Sequence, residues 1–178
     1  MILATPRLAL RPFVLSDIAP YAAIRAKPEV VAMLPGGPGA AARAAADAER
    51  LVTAWAALPP GGAPWAVEEK GGGRLLGHLG LRPLPELGGE TELLYMLDSG
   101  AWGRGLATEG GAAALGAAFG PLGLRRVIAL ARPENAASVA VMRKLGMRFE
   151  GGMRVFGVQA VRYAAHAPPP GDGACTTC

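Results

Sequence analysis

The chain has 178 residues, of which 51% are hydrophobic and 18% are charged, and its formal net charge at pH 7 is +4. This length suits one domain with a sizeable buried core, and the apolar content excludes a chain that is disordered throughout. The mild positive excess suits an anionic ligand but singles out no class of partner.

Neither a secretory signal nor a membrane span is predicted. The N-terminal residues reach Arg7 and Arg11 before a long apolar run forms, which is not the pattern of a signal peptide. The most apolar stretch, 110–124, is shorter than the ~20 residues that cross a bilayer. We therefore expect a soluble, cytoplasmic protein with no membrane contact.

The first half of the chain is predicted to form a strand, two helices and three further strands. Leu8 and Leu10 alternate with other residues in the period-two pattern of a half-buried strand. Ser16 is the expected N-cap of the first helix, and the glycines at 71–73 mark a hairpin turn. The expected bounds are 7–13 for the first strand, about 16–27 and 40–58 for the helices, and 65–69, 75–84 and 90–97 for the other strands.

The second half is predicted to add a helix, a strand, a second helix and two strands. Thr108 is expected to cap the first of these helices, and Asn135 or Ser138 the second. Gly146 is expected to end the second helix in a left-handed conformation. The expected bounds are about 119 for the end of the first helix, 126–131 for the strand, 136–144 for the second helix, and 147–156 and 158–165 for the last strands. This order indicates a mixed α+β domain with one central sheet over residues 1–164.

The tail over 165–178 is rich in proline and glycine and is expected to be disordered. It holds the only two cysteines of the chain, Cys175 and Cys178. Their spacing suits metal binding or redox chemistry, but no second pair of ligands accompanies them, so their role stays open.

The stretch "WGRGLATEGG", 102–111, follows a predicted strand and leads into a predicted helix. Gly103 and Gly105 permit a left-handed backbone, and a helix N-terminus presents free N–H groups, so this turn is a candidate anion site. It is not a P-loop, because it lacks the terminal Gly-Lys-Ser/Thr. It is not a dinucleotide fingerprint, because Thr108 stands where the third glycine belongs. A helix cap preceded by a flexible loop is the structural alternative.

Three separated stretches, "TPRLALRPF", "TELLYMLDSGAWGRGLATEGG" and "RPENAASVAVMRKLGMRFEG", together resemble the GNAT family of acetyl-CoA-dependent N-acetyltransferases over roughly residues 4–164. They are most similar to the branch of ribosomal-protein N-terminal (alanine/serine) acetyltransferases. The resemblance implies the GNAT fold, an α+β (mixed α/β) domain whose mixed, mostly antiparallel sheet of six to seven strands is flanked by about four helices. Trp102 departs from the Gln or Arg that begins the turn motif of this family.

The resemblance also implies acetyl-CoA as the co-substrate. No metal is expected, because the sequence has no evident constellation of metal-binding residues. In this family the pyrophosphate of CoA lies on the glycine turn, and the pantetheine arm lies along the preceding strand like an added strand. Asn135 and Ser138 match family positions near the arm and the sulfur, with helix capping as their alternative role. The side chain of Arg104 either contacts CoA or is exposed to solvent. The implied CoA-binding residues are Tyr95, Met96, Leu97, Gly103, Arg104, Gly105, Leu106, Ala107, Thr108, Asn135 and Ser138.

Glu92 stands where many members of this family carry a glutamate, so the resemblance implies that Glu92 is the general base. Its pKa would have to rise by burial for that role, and a salt bridge is the alternative. Leu94 replaces a glycine that is common in this branch, which puts the local acceptor geometry in question. Ser138 is the implied proton donor to the thiolate. His78 is expected to be a packed residue rather than a base.

The leading hypothesis is an N-acetyltransferase that acts by direct attack of a primary amine, either a protein N-terminal α-amine or a small-molecule amine. Two alternatives stay open, namely a non-catalytic acyl-CoA-binding or sensing module and, within the enzyme class, an aminoglycoside or polyamine acetyltransferase. The acceptor cleft is expected at the first two helices, with Tyr21, Trp55 and Trp65 as lining or core residues. The expected partner is the amine-bearing acceptor and not nucleic acid, with a homodimer left open.

Overall fold

A computed structural model describes residues 1–59 and 62–169. In this part of the chain there are five α-helices, which are α1 (Ile18–Arg25), α2 (Pro28–Val31), α3 (Ala44–Ala56), α4 (Leu106–Phe119) and α5 (Ala136–Lys144). The strands are β1 (Leu3–Ala4), β2 (Leu8–Arg11), β3 (Trp65–Glu69), β4 (Arg74–Leu84), β5 (Glu90–Leu97), β6 (Arg126–Ala131), β7 (Arg148–Val155) and β8 (Val158–His166). None of these helices is long and apolar enough to cross a membrane.

All eight strands form one sheet in the order β1-β2-β3-β4-β5-β6-β8-β7. Neighbouring strands are antiparallel except β5 and β6, which are parallel. The structure therefore confirms the mixed α/β domain with a mostly antiparallel sheet. It adds the two-residue β1 and the four-residue α2 to the elements that the sequence predicts.

The start of α1 differs from its prediction. Asp17, rather than Ser16, immediately precedes the helix. The Asp17 carboxylate accepts a hydrogen bond of 2.9 Å from Val14 N and one of 2.8 Å from Arg11 Nη1. These bonds stabilise a short 3-10 turn before α1. The Asp17 carboxylate, which the prediction did not include, therefore fixes the start of the helix.

Two other boundaries also differ from their predictions. α3 begins at Ala44, because residues 37–43 form a 3-10 helix with proline in its first turn. β8 runs to His166, one residue past its predicted end at 165. Of the predicted tail, residues 170–178 lie outside the described residues, together with Cys175 and Cys178.

The two faces of the sheet carry separate cores. α4 covers one face, where its Leu106 belongs to the same buried cluster as Leu79 and Leu93. α1 and α3 cover the other face, where Tyr21 belongs to the same buried cluster as Met96. We call the second side the α1 face.

Gly110 and Gly111 let α4 approach its neighbours closely. A Cβ atom on Gly110 would lie 3.0 Å from Leu79 Cδ1 on the sheet, and one on Gly111 would lie 2.8 Å from Leu145 Cδ1 after α5. A glycine inside a helix costs about 0.5–1 kcal/mol relative to alanine. The close packing of α4 offsets that cost at these two positions.

The parallel strands β5 and β6 separate soon after they meet. Their register holds a single pair, Glu92 with Ile128, whereas β5 pairs with β4 over its whole length. Beyond Glu92, the edge of β5 that faces β6 has no strand partner among the described residues. We call the opening between the two diverging strands the β5–β6 gap.

Candidate active site

The glycine turn and the first turn of α4 follow β5. Gly103 has φ of 72° and Gly105 has φ of 75°, which are left-handed conformations that glycine adopts without a Cβ penalty. Gly105 is the N-cap of α4, so the prediction that Thr108 caps this helix is wrong. Because no side chain caps this N-terminus, the first N–H groups of α4 are available to an anion.

A hydrogen-bonded cluster holds the glycine turn from the loop between β1 and β2. Thr5 Oγ1 donates to Glu109 Oε1 at 2.5 Å, and Arg7 Nε donates to Glu109 Oε2 at 2.6 Å. Arg7 Nη1 also donates to the Arg104 carbonyl oxygen at 2.8 Å. Burial by itself would raise the pKa of Glu109. The bonds from Thr5 and Arg7 outweigh this effect, lower the pKa and keep the carboxylate ionised. We call this cluster the Arg7–Glu109 latch.

Arg104 and Trp102 each have a specific partner near the turn. The Arg104 guanidinium forms an ion pair with Glu69 of β3, and this bond lowers the pKa of Glu69. Trp102 is half exposed, and its Nε1 donates to the Leu97 carbonyl oxygen at 2.9 Å. The indole thus holds the end of β5, at the position where the family motif has Gln or Arg.

The free edge of β5 faces α5 across the β5–β6 gap. A Cβ atom on Gly77 of β4 would overlap the Met96 carbonyl oxygen, so the peptide groups of Met96 face β4. By strand alternation, those of Tyr95 and Leu97 face the gap. The Tyr95 hydroxyl donates to the Ser138 carbonyl oxygen at 3.1 Å, which brings two of the predicted site residues together.

The start of α5 is fixed by a cap. Asn135 is the N-cap, and its Oδ1 accepts a hydrogen bond of 3.1 Å from Ser138 N. This confirms the predicted cap. The cap uses only the side-chain oxygen of Asn135, so its amide NH₂ group is available to donate hydrogen bonds to a ligand. Burial raises the pKa of Tyr95 to about 12, so this hydroxyl stays protonated at neutral pH.

Glu92 lies on the α1 face with only 6% of its surface exposed. Arg82, its cross-strand partner on β4, donates to Glu92 Oε2 from both Nε and Nη2, with Nε at 3.1 Å. Burial raises the pKa of Glu92, and the nearby Arg82 charge opposes that rise. The Arg82 guanidinium also lies 5.7 Å from the ring centre of Phe156, at the tip of the β7–β8 hairpin.

His78 is a packed residue, as expected. It is buried, and its Nδ1 lies 2.8 Å from the Tyr21 hydroxyl. Burial lowers the pKa of His78 to about 3, so the imidazole is neutral. Tyr21 is fully buried and Trp65 lies in the core on the α4 side, so both are core residues.

Arg7 and Arg82 are site residues that the sequence reasoning missed. Arg7 lies inside the quoted stretch "TPRLALRPF", but its partner Glu109 is 102 positions away, and such a pairing leaves no local signal. For Arg82, the sequence does carry a signal of its partner. Arg82 and Glu92 flank the turn of the predicted β4–β5 hairpin at matching distances, and opposite charges in register attract each other.

A groove of about 660 Å³ lies on the other side of the sheet, between α4 and β8. It borders Thr108 at the N-terminus of α4, and Lys144 and Arg148 contribute cationic side chains. The groove is therefore next to the candidate anion site rather than on the α1 face that holds Glu92.

Comparisons with known proteins agree with this architecture. The sequence model of the acetyltransferase (GNAT) domain family matches residues 7–148. The uncharacterized protein YkkB of Bacillus subtilis (strain 168) is 34% identical over 92 residues, which are 51% of this chain and 53% of YkkB. The chain thus matches about half the length of its curated relatives.

Solved structures match over nearly the whole chain. An acetyltransferase (GNAT family) from Bacillus anthracis has a TM-score of 0.77 and 24% identity, covering 93% of this chain and 98% of that one. Mycobacterium smegmatis RimJ, solved in complex with CoA-disulfide, has a TM-score of 0.73 and 26% identity, covering 94% of this chain and 86% of RimJ. The sheet has eight strands rather than the six to seven expected, but it is mostly antiparallel as expected. Since the family match covers most of the residues, the chain belongs to the GNAT acetyltransferase family.

Proposed function

We propose that the protein is an N-acetyltransferase that transfers the acetyl group of acetyl-CoA to a primary amine by direct attack. The observation that carries this proposal is the β5–β6 gap, whose free strand edge leads into the glycine turn at the N-terminus of α4. A pantetheine arm pairs with a strand edge as an added strand does, and a pyrophosphate binds a helix N-terminus. The two features follow each other in the order in which CoA carries these groups.

The residues proposed to hold CoA fall into three groups along the chain. Those on β5 lie along the arm, and among them Tyr95 and Leu97 turn their peptide groups toward it. Those in the turn offer N–H groups to the pyrophosphate, and those on α5 close the gap from the other side. They are Tyr95, Met96 and Leu97, then Gly103, Arg104, Gly105, Leu106, Ala107 and Thr108, and finally Asn135 and Ser138. The Arg104 side chain is held by Glu69, so its backbone N–H is the group proposed to contact CoA.

Glu92 is proposed to take the proton from the amine. In direct transfer, the amine nitrogen bonds to the acetyl carbon, the carbon–sulfur bond breaks, the amine loses one proton and the thiolate gains one. Both Arg82 bonds end on Glu92 Oε2, so Oε1 is the oxygen assigned to the proton. Burial raises the pKa of this carboxyl, which makes it a better base than an exposed glutamate.

Ser138 is proposed to return a proton to the departing sulfur. Its N–H is held by Asn135 and its carbonyl oxygen by Tyr95, so the backbone that carries the hydroxyl is fixed at the start of α5. Tyr95 is the weaker candidate, because its single O–H proton is donated to Ser138.

A protein N-terminal α-amine is the acceptor proposed first. An α-amine with a pKa of ~7.7–8.0 is roughly one-tenth neutral at pH 7, so forming the neutral amine costs about 1 kcal/mol of free energy. For a lysine amine with a pKa of ~10.4, the same free-energy cost is roughly 4.6 kcal/mol. The nearby Arg82 charge limits the strength of Glu92 as a base. Glu92 is therefore better suited to deprotonating an α-amine than a lysine amine. The resemblance of the motifs to those of the ribosomal-protein N-terminal acetyltransferases supports the same choice.

Two measurements test the proposal together. CoA affinity is measured by calorimetry, and thiol release from acetyl-CoA is followed with peptides, aminoglycosides and polyamines as acceptors. Gly105→Ala should weaken CoA binding by about tenfold, because a Cβ there strains the turn by ~1–2 kcal/mol. Gly123→Ala is the matched control, since Gly123 is also left-handed, with φ of 63°, but lies after α4. Equal affinities for wild type and Gly105→Ala would contradict the loop assignment.

A non-catalytic acyl-CoA-binding module is the second candidate. The observation that favours it is the ion pair of Glu92 with Arg82, which stabilises the ionised carboxylate and lowers its strength as a base. CoA binding without thiol release from any acceptor would support this module. Glu92→Gln separates the two candidates further, because it lowers turnover in an enzyme and leaves CoA affinity unchanged in both.

A further inference from the structure

Two arginines on the α1 face retain unused hydrogen-bond donors. Within residues 1–59 and 62–169, the buried side-chain nitrogen and oxygen atoms without a hydrogen-bond partner are Nε of Arg25 and Nε of Arg132. Buried polar groups are paired in the great majority of cases. These two guanidinium groups are therefore candidates for binding a ligand.

Each of the two arginines is next to one of the strands that border the β5–β6 gap. Arg25 Nη1 lies 4.0 Å from the sulfur of Met96, and Met96 stands four residues beyond Glu92 on β5. Arg132 stands four residues beyond Ile128, the β6 partner of Glu92. Arg132 directly follows the last residue of β6, Ala131. Arg25 thus contacts one of the two diverging strands, and Arg132 continues the other.

Arg132 is weakly held by its neighbours. Its Nη2 donates to the Leu34 carbonyl oxygen at 3.4 Å, and its Nη1 lies 3.6 Å from Glu134 Oε1, beyond hydrogen-bond range. Leu34 follows α2, so this contact puts Arg132 on the α1 face. About a quarter of the Arg132 side chain, 26%, is exposed, which leaves it within reach of an incoming group.

Arg25 lies deeper and makes the cleft positive. Its side chain is 8% exposed, and its Nη2 donates to Asp47 Oδ2 at 3.1 Å. Asp47 also binds Arg50 at 3.3 Å, so one carboxylate serves two guanidinium groups. These three side chains together carry more positive than negative charge.

Resting on the acetyltransferase function above, we propose that the cleft selects a primary amine that carries a carboxylate within a few bonds of its nitrogen. Arg132 binds that carboxylate, because a guanidinium offers two parallel donors to its two oxygens. Arg25 adds attraction at a distance. Polycationic amines meet like charges here, which disfavours polyamines and aminoglycosides.

The carboxylate can come from a free amino acid or from an acidic residue that follows a protein N-terminus. Two acceptor pairs distinguish these sources, namely glycine against glycinamide, and Ala-Glu-Ala-amide against Ala-Gln-Ala-amide. Their binding to the CoA-saturated protein is measured by calorimetry, so the inference is tested even when no acetyl group is transferred. The charged member of at least one pair should bind about tenfold more tightly than its amide.

Arg132→Gln should abolish that preference and change the affinity for the uncharged amides less than about twofold, and Arg132→Lys should retain part of it. Arg125→Gln is the matched control, because Arg125 is an exposed arginine just before the other end of β6. CoA affinity should stay the same in all three variants.

Three outcomes would overturn the inference. They are equal binding of both members in both pairs, tighter binding of spermidine than of either carboxylate, and an Arg132→Gln variant that loses charged and uncharged acceptors alike. Failure of the proposed function would give a different result. No acceptor would then release thiol from acetyl-CoA, while the preference for binding the charged acceptors would persist.

Discussion

The Nη1 atom of Arg7 donates a hydrogen bond of 2.8 Å to the backbone oxygen of Arg104, 97 residues further along the chain. The same side chain binds Glu109 in the first turn of α4. The conformation of the glycine turn therefore depends on a residue at the start of β2. The stretch "TPRLALRPF" has a structural role in the candidate site, because it supplies both Thr5 and Arg7 to the latch.

Breaking the Arg7–Glu109 latch should weaken CoA binding without removing it. We expect Arg7→Met to raise the Kd for CoA by about three- to tenfold, since hydrogen bonds of charged groups contribute ~1.5–3 kcal/mol and Arg7 is half exposed, which reduces that value. Calorimetry measures the Kd, and Arg154→Met, at an exposed position on the edge strand β7, is the control for lost positive charge. An unchanged Kd would show that the turn keeps its shape without the latch.

Two glycines should respond to alanine in opposite directions. Gly77→Ala should lower the free energy of unfolding by about 2–4 kcal/mol, because its φ of 137° is strained for alanine and its Cβ would overlap the Met96 carbonyl oxygen. Gly116→Ala should raise it by about 0.5–1 kcal/mol, because this helical position has open space for a Cβ. Urea unfolding measures both. A mild effect of Gly77→Ala would contradict the close approach of β4 and β5.

The Arg82 charge should control the acid limb of the pH–rate profile. Burial raises the pKa of Glu92 and Arg82 opposes the rise, and a base works only when it is deprotonated. Activity is therefore lost as the pH falls through the raised pKa. Arg82→Met removes the opposing charge and should move the acid limb up by about one pH unit.

Arg82→Lys keeps the charge and should shift the limb less. The profile of kcat/KM against pH measures the effect in the free enzyme. A limb that stays in place in Arg82→Met would exclude Glu92 as the titrating base.

Asn135 should separate capping from CoA binding. Asn135→Ala loses the bond to Ser138 N and should cost about 0.5–2 kcal/mol of stability. Asn135→Asp keeps an N-cap oxygen but lacks the amide donors, so it should retain stability and raise the Kd for CoA by about three- to tenfold. Thermal unfolding and calorimetry measure the two effects. An Asp variant with unaltered CoA affinity would reduce Asn135 to a cap.

Much of the fold could be predicted from local patterns. Alternation marked the strands, the glycines at 71–73 marked a hairpin, and Asn135 and Gly146 marked the two ends of α5. These signals act between neighbours in sequence, so no tertiary contact is needed to detect them. The predictions that Ser16 and Thr108 are helix caps were wrong. Asp17, which is held by Arg11, precedes α1, and Gly105 is the N-cap of α4.

The candidate site was predicted in part. The position of Glu92 followed from its place in a family motif, but its burial and its bond to Arg82 required the register of β4 and β5. Gly110 and Gly111 of α4 had no explanation from composition alone. Their reason lies in Leu79 and Leu145, which approach α4 from the sheet and from the end of α5.

The sequence by itself determined the order of elements, the glycine turn before α4 and the family, because each of these is written in short stretches of neighbouring residues. Only the tertiary structure decided that β5 and β6 diverge after Glu92, that Arg25 contacts Met96 of β5, and that the Nε atoms of Arg25 and Arg132 are buried without a partner among the described residues. The reason is physical. Charges and strand edges acquire their roles from partners far away in the chain, and those partners meet only when the sheet is assembled.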